Sequence, residues 1–162
     1  MSKLPVGGRI PLDRYRQLMD DGPIVTVDVM FLNPERTKLL LGKRTNEPYK
    51  DEYFSFGGRL YKNEEFIDAA RRITKEEIGL DILESELTFA GVTADFGNSS
   101  IFEGVTYHSV DIFYVCTIPE DLNISLDAQH DDTKWFSLDD TTLHPFVQNR
   151  IKGVKKTLNL SI

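Results

Sequence analysis

Two adjacent glycines, Gly57 and Gly58, close a short apolar stretch, and after five further residues Glu64 opens a segment with helical spacing that runs to about Ile78. At about 100° per residue, Phe66, Ala69, Ala70 and Ile73 gather on one side of that helix, and Glu77 falls within the same stripe. Strand, glycine turn and amphipathic helix in immediate succession constrain the fold strongly. The paired glycines allow close backbone approach or a positive φ, and the helix needs a sheet to bury its stripe against. A carboxylate in that stripe has two readings. It frays to water or pairs with a lysine at the last turn, or it is a metal ligand, because carboxylate oxygens suit Mg²⁺ and a helix fixes their direction.

The remaining pattern supplies the sheet. Ile24–Leu32 is rich in β-branched residues, Asn33-Pro34 turns the chain, and Lys38–Gly42 predicts a paired strand. Further strands are predicted at Tyr53–Phe56, Leu87–Ala94, Ser109–Ile118 and Thr133–Phe136. A helix after Pro11 carries Leu12, Tyr15, Leu18 and Met19 and stops at Asp21-Gly22-Pro23; its stripe faces either the core or a dimer partner. A last helix carries Val147, Ile151, Val154 and Leu158. From the first of these strands onward the order β-β-β-α-β-β-β-α predicts an α/β fold with a mixed sheet and helices on its faces.

Without repeats or a composition break, the 162 residues read as a single domain, with residues 1–10 as a mobile leader. Nineteen basic against 26 acidic side chains, a net charge of −7, argue against a general nucleic-acid or anionic-membrane surface and leave room for a local basic pocket. There is no signal-peptide pattern and no run of roughly 18 apolar residues. With Cys116 as the only cysteine, the composition predicts a cytoplasmic protein.

The run Gly58, Glu64, Arg72, Glu76, Glu77, Gly79, Leu80 resembles the Nudix box: glycine, five residues, glutamate, seven residues, arginine, then a glutamate-rich close ending in glycine and an apolar residue. The motif covers residues 58–80, and the element order is similar to that family over roughly 23–158. The resemblance implies a Nudix-like α/β/α sandwich with a mixed β-sheet. Two positions depart from the box, Ile73 where the family has glutamate and Thr74 where it has an apolar residue. One branch, the GDP-mannose mannosyl hydrolases, carries the same kind of departure together with a Gln-His pair before the late strand, which Gln129-His130 resembles.

That resemblance implies a set of roles. A single Mg²⁺, or Mn²⁺ in its place, is held by the Gly57 carbonyl, Glu77 and Gln129, with the substrate diphosphate completing the shell. His130 is the general base, its ordinary pKa near ~6.5 suiting water activation close to neutrality. Arg44 and Arg59 hold and neutralise the leaving diphosphate. Asp28 lies near the reacting sugar, and Tyr15 corresponds to an aromatic that packs on the nucleotide. The branch has a tyrosine where this chain has Ser109 after His108, with Tyr107 as a substitute.

The first expectation is therefore Mg²⁺-dependent hydrolysis of a nucleotide-sugar substrate such as GDP-mannose at the anomeric carbon, by a homodimer. A conventional pyrophosphohydrolase cleaving at phosphorus, for which Glu76 and Glu77 are retained, ranks second. A non-catalytic module that binds a nucleotide sugar is the third.

Overall fold

The structure, a computed structural model, describes residues 4–126 and 130–161, and for His130 and Asp131 the backbone alone. Its helices are α1 (Leu12–Asp21), α2 (Phe66–Ile78) and α3 (Pro145–Thr157). Its strands are β1 (Ile24–Leu32), β2 (Lys38–Arg44), β3 (Tyr53–Phe54), β4 (Phe56–Arg59), β5 (Thr88–Gly97), β6 (Tyr107–Thr117) and β7 (His130–Ser137).

The apolar run of β1 places it at the centre, where both faces are covered. It pairs in parallel with β6 from Ile24↔Ser109 to Leu32↔Thr117. Its other edge is shared between two antiparallel partners, β2 at Phe31↔Leu40 and β4 at Asp28↔Gly57. Outward from this centre, β5 pairs with β6, and both β3 and β7 pair with β2. The one parallel pair among these antiparallel ones makes the sheet mixed, as the sequence predicts.

Alternation along β1 sorts the two layers. Val27, Val29 and Phe31 pack with Ala69, Ala70, Ile73 and Ile78 of α2. Met30 and Leu32, with Phe113 and Val115 of β6, pack with Val147, Ile151 and Val154 of α3. The result is an α/β/α sandwich, in which α1 sits to one side through Met19, Ile24 and Val105.

Several elements differ from the sequence reading. The predicted strand Tyr53–Phe56 divides at Ser55 into β3, on β2, and β4, on β1. Helix α2 begins at Phe66, after Glu65 with extended backbone at its N-cap, and the Glu64 carboxylate is engaged with the Tyr61 N–H and with Arg72. Phe66 is not part of the buried stripe; it is 46% exposed. On α1 the predicted stripe splits, Leu12 and Leu18 being exposed while Met19 is buried and Tyr15 packs edge-on against Phe102. Residues 4–10 form neither helix nor strand and run along the loop after β4: the Gly7 N–H donates to Lys62 O, and Gly8 O accepts from Arg59.

On the face covered by α3, the sheet changes character along its length. Met30, Leu32, Phe113 and Val115 give way to Thr26, Asp28, Ser109 and Asp111, all buried. Helix α3 covers the apolar end and sends one charged side chain, Arg150, into the polar end. The candidate site lies there.

Candidate active site

The spacing of the box is explained by a clamp. Arg72 donates from Nε to Glu64 Oε1 at 2.6 Å and from Nη2 to Glu64 Oε2 at 3.0 Å, and Nη2 also reaches Arg59 O at 3.0 Å. Its guanidinium lies 3.8 Å from the centre of the Tyr61 ring, and Nη1 reaches Glu76 Oε2 at 3.1 Å. A bidentate arginine fixes planar geometry, so Arg72 locks the loop between β4 and α2 onto the helix. Burial works to raise the Glu64 pKa, but the bonds from Arg72 and the Tyr61 N–H prevail and lower it. At the other end, Gly79 adopts φ 75° and its N–H bonds to Lys75 O, ending α2 as a left-handed glycine cap.

The two departures from the box are part of the core. Ile73 is 1% exposed and packs on the bare backbone of Gly58, where an added Cβ would lie 3.3 Å from Ile73 Cγ1. Thr74 is fully buried, and its hydroxyl is satisfied within the helix by Ala70 O at 2.8 Å. Glu77 does not fray to water: its exposure is 4%.

A cavity of about 310 Å³ opens at the polar end of the sheet and brings together five of the residues singled out from the sequence: Tyr15, Asp28, Arg44, Gly57 and Arg59. Tyr107 also lines it. Arg44 is steadied by its Nε, which donates to Pro48 O at 2.7 Å. Arg59 donates to Gly8 O at 3.0 Å and lies 5.6 Å from the ring centre of Tyr15 and 5.2 Å from that of Tyr61. Asp28 accepts from the Ser55 hydroxyl and packs on Gly57 so closely that a Cβ there would fall 1.7 Å from its Oδ1. Glycine is therefore required at 57 for Asp28 to keep its place.

The sequence reading missed the cluster beneath Asp28. Arg150 donates from Nη2 to Asp95 Oδ2 at 2.6 Å and from Nε to Asp111 Oδ2 at 2.8 Å, with Asp28 Oδ2 3.5 Å from Nη2. Thr26 donates to the other oxygen of Asp111 at 2.8 Å. Burial works against the charge of Arg150, but Asp111, Asp28 and Asp95 outweigh it and raise its pKa. Asp95 and Asp111 share one guanidinium in a buried place, where the charged form of a carboxylate is disfavoured. Burial first, and the neighbouring Asp28 second, push Asp111 well above the carboxylate range, and burial raises Asp95 as well. A signal was present in the sequence: Arg150 falls between Val147 and Val154 at helical spacing, a charge inside an apolar stripe as Glu77 is.

Not all the expected residues meet in the cavity. Glu77 belongs to α2, on the other layer, and is not among the cavity's lining residues. Gln129 lies outside the described residues. His130 begins β7, and its backbone stands opposite Arg44 of β2. His108 stacks on Phe96 with ring centres 4.5 Å apart, in a neighbouring depression that shares Pro48, Tyr49 and Tyr107 with the cavity.

No three His, Cys, Asp or Glu side chains come together as a metal cluster among the described residues. The Gly57 carbonyl and the Glu77 carboxylate are hard oxygen donors of the kind Mg²⁺ and Mn²⁺ take. The chemistry of these two donors is thus compatible with such a cation.

The fold and this site define an α/β/α domain in which the glycine pair of β4 lies between helix α2 and the cavity. A family model, the NUDIX domain, matches residues 22–157, and the chain belongs to that family. It is 35% identical over 148 residues to the low-salt glycan biosynthesis protein Agl8 of Haloferax volcanii, covering 90% of this chain and 91% of that protein. Among solved structures, a MutT NUDIX hydrolase from Burkholderia pseudomallei superposes with a TM-score of 0.66 at 21% identity, over 82% of this chain and 98% of the other. The NUDIX domain of Shewanella oneidensis NrtR, complexed with ADP ribose, superposes with a TM-score of 0.64 at 19% identity, over 85% and 89% of the two chains. Among the described residues, no helix is long and apolar enough to cross a membrane.

Proposed function

We propose that this Nudix protein hydrolyses a nucleoside-diphosphate sugar of the GDP-mannose type by attack of water on the anomeric carbon, releasing free sugar and nucleoside diphosphate. The observation that carries the reading is Ile73: a core side chain sealed against Gly58 stands where the box otherwise supplies a carboxylate. With that carboxylate gone, the donors suit a single cation on the diphosphate. Arg44 and Arg59 at the cavity wall, and the glycan-biosynthesis relative, support the same substrate class.

In this account His130 accepts a proton from water as the oxygen forms its bond to the anomeric carbon. The carbon–oxygen bond to the diphosphate breaks, and its electron pair leaves on the phosphate oxygen. Arg44 and Arg59 meet that growing charge with planar donors, the electrostatic help that lowers such barriers most. Asp28 faces the sugar, and Tyr15 packs on the nucleotide. Mg²⁺, or Mn²⁺, held by the Gly57 carbonyl, Glu77 and Gln129, supplies neutralisation of the diphosphate charge.

Incubation with GDP-mannose, GDP-glucose and ADP-ribose in the presence of Mg²⁺, with products identified by NMR, tests the proposal. Free sugar with nucleoside diphosphate is expected. Sugar phosphate with nucleoside monophosphate promotes the second reading, a conventional pyrophosphohydrolase, which the retained Glu76 and Glu77 favour. Binding without turnover of any of the three promotes a non-catalytic module.

The same proposal includes a cytoplasmic homodimer. Cys116 is a buried free thiol that needs no oxidising compartment, and Leu12 and Leu18 leave apolar surface on α1. Light scattering at high protein concentration is expected to give twice the chain mass, and a monomer contradicts it.

A further inference from the structure

We infer that Asp95 is a specificity-determining residue that accepts a hydrogen bond from a hydroxyl of the substrate's glycosyl group. The inference rests on the proposed nucleotide-sugar reading and extends it to a residue outside the Nudix box. The cavity is lined by groups of both signs. Arg44 and Arg59 supply positive charge suited to a diphosphate, and Asp28 and Asp95 present carboxylates beside Arg150. A ligand matching both kinds of group carries an anion and neutral hydrogen-bond donors, which is the chemistry of a sugar joined to a diphosphate.

Asp95 is singled out by its own accounting of bonds. Its Oδ2 accepts from Arg150 at 2.6 Å, but its Oδ1 is buried with no hydrogen-bond partner among the described residues, although Asp95 lines the cavity and is only 2% exposed. A buried acceptor left unsatisfied is costly, and a donor brought by the ligand removes that cost. Arg150, itself held by Asp111 through Nε, fixes the direction of the carboxylate, so the acceptor is set before the ligand arrives. A hydroxyl meeting a preset acceptor is recognised strongly, because a sugar lacking it leaves the site unpaired again.

The test is calorimetric titration of the full-length wild type and of Asp95→Asn with GDP-mannose and with GDP, both in the presence of Mg²⁺. Short injections and product assays establish that the sugar nucleotide is intact during the titration. Asp95→Asn is expected to weaken GDP-mannose binding by about tenfold to a hundredfold and to leave GDP binding within about twofold. Equal weakening of both ligands assigns Asp95 a structural role and overturns the inference, as does no weakening of either. Wild type that binds GDP-mannose no more tightly than GDP also overturns it. The site of cleavage does not enter these ratios: sugar phosphate among the products defeats the proposed reaction while leaving the Asp95 comparison readable. If the asparagine variant does not fold, Asp95→Ser, whose shorter side chain withdraws the acceptor from the hydroxyl, carries the same comparison.

Discussion

Replacing His130 by glutamine is expected to lower kcat by about 10²–10⁴ while KM and Mg²⁺ affinity stay nearly unchanged, because only proton transfer in the transition state is lost. The residue starts β7, where its backbone stands opposite Arg44, itself a wall of the cavity. In the proposed reaction this strand end supplies the base, and Arg44 is the proposed partner of the leaving diphosphate. Single-turnover kinetics with GDP-mannose at saturating Mg²⁺ would read the chemical step directly. A His130→Gln enzyme within a few-fold of wild type removes histidine as the base and moves the search to Asp28, Asp131 or Glu76.

Glu77→Gln is expected to behave differently. The substitution keeps the volume of a buried side chain but removes the charge of a proposed cation ligand. Metal affinity should fall by at least roughly tenfold and the rate with it, and part of the rate should return as Mg²⁺ is raised. Titration of Mn²⁺ followed by electron paramagnetic resonance measures the affinity independently of turnover. Unchanged affinity would assign Glu77 to the core alone.

Glu77 comes from α2, and the cavity is built on the α3 face of the sheet. The strand β4 joins them: Gly58, opposite Val27, faces Ile73 of α2, whereas Gly57, opposite Asp28, faces the carboxylate in the cavity. Adjacent residues of a strand point to opposite faces, so a Gly-Gly pair lets helix and carboxylate both approach the same stretch of backbone.

What was legible from the sequence follows from how local each signal is. Helix α2, the central apolar strand β1 and the final helix α3 depend on periodicity within one segment; β1 has its predicted bounds, and α2 starts two residues later than its periodicity predicts. The α/β/α layering follows, because the two apolar helices need the two faces of one sheet. The break at Ser55 was not legible: β3 and β4 are separated by their partners, β2 and β1, and pairing is a long-range property.

The site divides in the same way. Arg44, Arg59, Gly57, Asp28 and Tyr15 were named from a family pattern and line a single cavity. Asp95 and Asp111, each alone, resemble ordinary alternating polar residues of a strand, and Arg150 resembles a helix surface charge. Their relation requires β5, β6 and α3 to be brought together. The sequence signal is a charge within an apolar stripe: Arg150 stands in the stripe of α3 as Glu77 stands in that of α2.

The place of bond cleavage is the central claim, and isotope labelling tests it most directly. Hydrolysis of GDP-mannose in H₂¹⁸O, with products separated and weighed by mass spectrometry, is predicted to put the label in the free sugar and none in the nucleoside diphosphate. Label in a phosphate group would contradict attack at carbon.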